Sequence, residues 1–139
     1  MQADMDMEGQ VEIAELNNAL VVKPRFHRLD AAVAPAFRDH VAPWLRDRRL
    51  VVFALGSIQF MDSSGLGSLV SLLKLMPAGG VIRLAELSTA LERVLTRTRL
   101  HNVLPVFPTV ALAVNHGVIG DASRVDRASP RRERAATNA

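Results

Sequence analysis

Cysteine is absent from the 139-residue sequence, which excludes a disulfide framework, a thiolate zinc site and a cysteine nucleophile. Paired carboxylates and His-x-x-x-His spacings are also missing, so no metal and no cofactor is expected. No segment reaches the roughly 20 apolar residues that a membrane helix needs. Residues 1–8 are acidic and lack the basic start and apolar run of a secretory signal. These absences predict a cytoplasmic protein without membrane insertion.

Net charge is small over most of the chain, although the isoelectric point of about 10.5 invites a nucleic-acid interpretation. Residues 118–139 hold five arginines against three acidic residues and account for two of the three net positive charges. The rest of the chain is close to neutral, so no direct binding of nucleic acid is expected. The arginines are Arg124, Arg127, Arg131, Arg132 and Arg134.

A single domain is expected from the length and from a hydrophobic content of 49%, which is enough for one substantial core. We predict a flexible N-terminus over residues 1–9, a folded domain over residues 10–117 and a disordered tail rich in arginine and alanine over residues 118–139. The tail shows no sustained apolar periodicity.

The first part of the chain predicts a hairpin followed by a helix. Residues 11–16 and 19–23 read as strands, and Asn17-Asn18 between them tolerates the positive φ of a tight turn. An amphipathic helix is expected after Asp30, which would cap it. Pro43 is expected to bend or shorten the end of that helix. Its apolar positions recur at spacings of three and four, and they are Val33, Ala36, Phe37, Val41, Trp44 and Leu45.

Strand and helix patterns alternate through the rest of the chain. Residues 50–55 are typical of a central strand covered on both faces. A helix is expected from Asp62 to residues 77–80, with Leu66, Leu69, Val70, Leu73 and Met76 as its apolar stripe. A strand over 81–85, a helix from Ser88 to Arg99, a strand over 103–107 and a helix from Thr109 to about His116 follow.

The order ββαβαβαβα predicts an α/β fold whose sheet is mixed and mostly parallel, with helices packed on it. Trp44 and the five phenylalanines occupy apolar-periodic or strand positions, and core packing is expected for them.

The segment Asp62-Ser63-Ser64-Gly65-Leu66-Gly67 lies where a buried strand leads into a helix. A helix N-terminus carries unpaired N–H donors and a partial positive charge, and it accommodates a phosphate with little strain. Gly65 and Gly67 would leave room for another protein's backbone or a nucleotide. The same residues suit an ordinary helix cap, and the local pattern alone does not separate a cap from a regulatory site.

The run from Phe60 to Gly67 resembles the signature of bacterial anti-sigma factor antagonists, the STAS family that includes sporulation and general-stress regulators. The resemblance extends over about residues 10–116 and implies a STAS fold. It implies that Ser63 accepts phosphate from an anti-sigma factor that is also a serine kinase of the GHKL type, with Ser64 as a secondary acceptor. Departures from the family pattern are His27, where many members have glycine, Pro77, and the apolar pair Leu72 and Leu73.

By the same resemblance, the unphosphorylated protein would bind its anti-sigma factor, and phosphate on Ser63 would break the complex and so regulate sigma-factor-dependent transcription. A phosphatase is a possible further partner, and the free protein is expected to be a monomer. The implied partner surface combines the start of the Ser63 helix with loops near residues 28–30 and Ser57. Its residues are Asp30, Ser57, Asp62, Ser63, Ser64, Gly65, Leu66 and Gly67.

Two alternatives compete with this interpretation. A hydrolase would use Ser63 or Ser64 as nucleophile, Asp30 or Asp62 as orienting residue, and His27, His40, His101 or His116 as base. The G-x-S-x-G elbow is missing, so no enzyme activity is expected. The other alternative is a STAS subunit of a lipid or anion transport system, or of another signalling complex, that is not phosphorylated; such domains often lack a serine at the acceptor position.

Overall fold

The computed structural model describes residues 7–117, so the predictions for residues 1–6 and for the tail over 118–139 lie outside the described residues. Met7 is only 5% exposed and packs in the core, and its carbonyl accepts hydrogen bonds from the N–H groups of Gln10 and Val11. This part of the predicted flexible N-terminus is therefore anchored to the domain.

Within residues 7–117, seven strands form two sheets. They are, in chain order, β1 (Val11–Leu16), β2 (Ala19–Pro24), β3 (Arg28–Leu29), β4 (Leu50–Ala54), β5 (Phe60–Met61), β6 (Val81–Ala85) and β7 (Val106–Phe107). The main sheet has the order β1-β2-β4-β6-β7, with β1 antiparallel to β2 and the other pairs parallel. The predicted mixed, mostly parallel sheet is confirmed, and β3 and β5 add a short parallel ladder that the sequence pattern did not predict.

The predicted hairpin turn is confirmed by its backbone. Asn17 and Asn18 both lie in the left-handed region, with φ of 50° and 70°. Positive φ at both central residues matches the twist of a two-residue hairpin, which explains why asparagine stands at each position.

The described part of the chain has four α-helices, which are α1 (Ala34–Val41), α2 (Ser63–Lys74), α3 (Thr89–Arg97) and α4 (Val110–Asn115). The Ser88 and Thr109 side chains cap α3 and α4 as predicted, since they accept hydrogen bonds from the N–H groups of Leu91 and Leu112. Among the described helices, none is both long and apolar enough to cross a membrane.

The prediction that Asp30 caps α1 is wrong. The cap position is Val33, which has no side-chain cap bond. The Asp30 carboxylate instead accepts the N–H of Ala32, and the Asp30 carbonyl accepts the N–H groups of Val33 and Ala34. A turn therefore separates Asp30 from the helix, and α1 starts later than predicted. At its other end α1 gives way at Ala42–Leu45 to a 3-10 helix, as the position of Pro43 predicted.

The main sheet buries its two faces unequally. The larger core includes Val51, Phe53 and Leu84 from the sheet and Phe37, Leu69 and Leu72 from α1 and α2. The smaller core consists of Ala19, Val52 and Ala85 from the sheet and Ala113 and Val114 from α4. As predicted, the central strand β4 is covered on both faces.

Three core predictions need correction. Trp44 and Phe60 were expected inside but are 47% and 41% exposed. Trp44 belongs to the 3-10 helix after α1, where the spacing that predicted its burial no longer applies. In α2 the fully buried positions are Leu69 and Leu72, and the predicted stripe had omitted Leu72.

Candidate functional site

The start of α2 is built on the Asp62 side chain. One carboxylate oxygen, Oδ1, accepts the N–H of Gly65 at 3.0 Å, which is a helix N-cap bond. The other, Oδ2, accepts the N–H of Ala31 at 3.1 Å, from the turn that precedes α1. A single carboxylate therefore joins the starts of the first two helices.

Gly65 lies under the neighbouring chain segment. A Cβ built at this position would lie 2.1 Å from the Leu29 carbonyl oxygen and 2.6 Å from Cγ of Met61. The prediction that Gly65 leaves room for another protein is therefore wrong, because this chain's own Leu29 fills the space. Gly67 is exposed with nothing within 4 Å of its Cβ position, as the prediction requires of an open surface.

Ser63 and Ser64 are both exposed in the first turn of α2. Within residues 7–117 neither hydroxyl makes a hydrogen bond to the protein, so the start of the helix does not depend on them. Leu66 is half-buried and packs against the larger core. The site thus offers two free hydroxyl groups on a helix end that another residue holds in place.

The ladder of β3 and β5 brings the predicted loops next to this helix end. Arg28 pairs in register with Phe60, and Leu29 with Met61, the residue before Asp62. The Arg28 guanidinium lies 4.3 Å from the centre of the Phe60 ring, and its Nε donates to the Asp30 carboxylate at 3.2 Å. The Arg28 guanidinium therefore covers one face of the partly exposed Phe60 ring.

His27 ties a further loop to the same place. Its carbonyl accepts the N–H groups of Gln59 and Phe60, and its Nδ1 lies 3.1 Å from the Ser57 carbonyl oxygen. The residues predicted to form one surface, around Arg28, Ser57 and Ser63, therefore lie on connected segments. His27 and Phe60 were not predicted for this surface; the departure from glycine at position 27 was the available signal for the first.

The electrostatics of the helix end favour a charged Asp62. The Gly65 N–H is the largest influence and lowers the pKa of the Asp62 carboxyl below its ordinary value of 3.8. Desolvation opposes it, and the N–H groups of Ala31 and Ser64 add to the lowering. A carboxylate, rather than a carboxylic acid, therefore stands beside Ser63 at neutral pH.

The hydrogen bonds do not form the triad that a hydrolase would need. The Asp62 carboxylate binds backbone N–H groups, and Asp30 binds Arg28 and Ala32. Within the described range, the histidine side-chain hydrogen bonds are those of His27 and His101 with backbone carbonyl oxygens. No histidine is hydrogen-bonded to Ser63 or Ser64 in this part of the chain.

The family model of the STAS domain matches residues 10–113 of this chain. The protein belongs to the STAS domain family. The match spans every element from β1 into α4 and includes the helix end that carries Ser63. No curated protein matches the chain significantly in sequence.

Solved structures share the STAS fold with this chain. A candidate anti-sigma factor antagonist of Thermotoga maritima has a TM-score of 0.69 and 21% identity, over 82% of this chain and 95% of its own. The phosphorylated Bacillus cell fate determinant SpoIIAA has a TM-score of 0.57 and 18% identity, over 76% and 96%. The murine solute carrier 26 family member A9, an anion transporter, gives 0.61 and 19%, over 73% of this chain and 18% of the transporter.

Proposed function

We propose that this STAS protein is an anti-sigma factor antagonist of the cytoplasm that has no catalytic activity of its own. In its unphosphorylated form it binds an anti-sigma factor that is a GHKL-type serine kinase. Phosphorylation of Ser63 by that kinase ends the complex. The observation that carries the proposal is the exposed Ser63 hydroxyl, which makes no hydrogen bond within residues 7–117 and lies on a helix end that Asp62 holds independently of it.

Phosphorylation at this position changes charge without requiring a change of fold. A phosphate adds about −1.5 to −2 charges at neutral pH. The helix N-terminus favours that charge, and both Asp62 oxygens are already bound to backbone N–H groups. The cap can therefore persist, and the added charge falls on the surface shared by residues 28–30, Ser57 and α2. Like charges placed across an interface cost several kcal/mol, which is enough to dissociate a partner.

The proposal rests in part on similarity. Anti-sigma factor antagonists share the fold, and one of them, SpoIIAA, has structures in both unphosphorylated and phosphorylated forms. The transporter also shares the fold, but this chain covers 18% of it. The exposed Ser63 hydroxyl is the feature that favours an antagonist over a transport subunit.

The test is capture of partners from the native cytoplasm by the wild-type protein and by Ser63→Asp, with identification by mass spectrometry. We expect the wild type to retain a GHKL-type kinase and Ser63→Asp to lose at least nine tenths of it. Ser129→Asp, which places the same charge outside the described domain, is the matched control and should retain the kinase. Ser64→Asp tests the secondary acceptor.

Two results would contradict the proposal. Equal loss of the kinase from Ser63→Asp and Ser129→Asp would mean that charge acts without regard to position. Recovery of a transporter complex with wild type and Ser63→Asp alike, with no phosphate on the Ser63 peptide, would favour the transport subunit instead.

A further inference from the structure

A cavity of about 610 Å³ lies at the end of the main sheet that is remote from Ser63. Its walls include the β1–β2 turn and the residues at the starts of β4 and β6, which are the amino ends of parallel strands. The helix α2, in contrast, follows the carboxyl ends of β4 and β5. The cavity is therefore separate from the proposed phosphorylation site.

Arginine dominates the charge of this cavity. Three arginines and two carboxylates line it, and the ion pair between Arg48 and Glu15 removes one of each. Within residues 7–117, Arg49 and Arg83 have no carboxylate partner. When Asp47 is counted as well, the residues that line the cavity carry one net positive charge.

Arg83 is the most unusual of these groups because it is half-buried in a strand without an acidic partner in the described range. Its Nη1 donates to the carbonyl oxygens of Ala113, at 2.8 Å, and His116, at 3.1 Å. Nε and Nη2, which carry three of the five guanidinium N–H donors, make no hydrogen bond within residues 7–117. Its Cζ lies 5.6 Å from the centre of the Phe107 ring, and burial lowers the pKa of Arg83 because desolvation disfavours the charged guanidinium.

Apolar side chains complete the cavity. Leu50, Val81 and Val114 line it together with the arginines, and Val81 is 39% exposed although it belongs to an interior strand of the sheet. A guanidinium matches the oxygens of a phosphate in a bidentate way, and an apolar wall favours a ligand that also has a hydrocarbon part. Gly79 adds no side chain next to Arg49, whose Nη2 would lie 3.8 Å from a Cβ at that position.

We propose that this cavity binds an organic phosphate monoester, with the phosphate between Arg49 and Arg83 and the organic group against Leu50, Val81 and Val114. The ligand would bind at the amino ends of the strands and leave the Ser63 surface free. This proposal does not depend on the proposed function, because none of its residues belongs to the anti-sigma factor surface.

The test uses the full chain and phenyl phosphate as the probe, in a titration followed by amide chemical shifts. We expect saturable shifts at Asn18, Gly79 and Val81, and no such shifts with phenol. Arg49→Gln should weaken the affinity about tenfold, which corresponds to about 1.4 kcal/mol. Arg49→Glu should weaken it further, since Arg49 is an exposed side chain whose replacement does not disturb the core.

The controls separate a site from general charge. Arg93→Gln removes an exposed arginine on α3 and should leave the affinity unchanged. Ser63→Asp should also leave it unchanged. Shifts that do not saturate, that centre on the start of α2, or that weaken equally in Arg93→Gln and Arg49→Gln would overturn the proposal.

The acidic residues beyond the described range are the competing occupants. A full-length variant with Asp121→Asn, Asp126→Asn and Glu133→Gln tests them. If phenyl phosphate binds this variant but not the wild type, the cavity holds the chain's own carboxylates and the small-molecule proposal fails. Equal affinity for both proteins supports it.

Discussion

At the scale of single residues, the two glycines of the α2 motif have different roles. Gly65 is buried against the Leu29 carbonyl, and Gly67 faces open space. The motif alone assigned both to an open surface, because the contact of Gly65 comes from a segment more than thirty residues earlier in the chain. Asp62 as a cap, in contrast, follows from the local sequence, since a cap bond spans only three residues.

Exchange of each glycine for alanine should therefore change the free energy of unfolding in opposite directions. Gly65→Ala places a Cβ 2.1 Å from the Leu29 oxygen, and overpacking of this kind costs about 1–3 kcal/mol, more than the helix propensity of alanine returns. The Cβ of Gly67→Ala would have no atom within 4 Å, so this substitution should raise the free energy of unfolding by about 0.5–1 kcal/mol. Urea denaturation followed by circular dichroism measures both.

Equal effects of the two substitutions would show that Gly65 is not pressed against Leu29 in solution.

At the scale of elements, predictions from local chemistry were correct where the deciding contact is local. The hydroxyl groups of Ser88 and Thr109 cap their helices by accepting the N–H of the residue three positions later. The strands β3 and β5 were not predicted, because two residues show no periodicity and their pairing joins segments about thirty residues apart. Trp44 was misplaced because α1 ends at Val41 and a tighter helix changes the direction of the later side chains.

His116, directly after α4, is a titratable side chain that packs against the sheet. His116 follows α4 and packs against Phe107, with ring centres 5.0 Å apart. Burial, and to a lesser degree the positive charge of Arg83, lowers the pKa of His116 from 6.5. The unfolded chain therefore binds a proton more readily than the folded chain, so the stability that His116 contributes is complete above pH 6.5 and is lost as the pH falls through the lowered value.

We accordingly expect the urea midpoint to fall more for the wild type than for His116→Gln when the pH is lowered from about 7.5 to about 5.5. Glutamine keeps a polar side chain and removes the titration. Parallel falls in the two proteins would mean that His116 is equally accessible to protons in both states, contrary to its packing on Phe107.

At the scale of the whole molecule, the two cores share the same strands. Adjacent residues of one strand enter different cores, as Val51 and Val52 do in β4 and Leu84 and Ala85 do in β6. The alternation of side chains along a strand produces this arrangement. The layers were predictable from the order of strands and helices. The difference in size between the two cores was not predictable, because it depends on where α4 packs on the sheet.

Shared strands predict one cooperative unfolding transition. Loss of the larger core would remove the strands that α4 packs on, and loss of the sheet would remove both cores. The fluorescence of Trp44, the single tryptophan, reports on the 3-10 helix that follows α1. Far-ultraviolet circular dichroism reports on the whole backbone. We expect both signals to give the same urea midpoint. An earlier fluorescence transition would show that α1 and its 3-10 extension separate from the sheet before it unfolds, and the structure would then consist of two units rather than one.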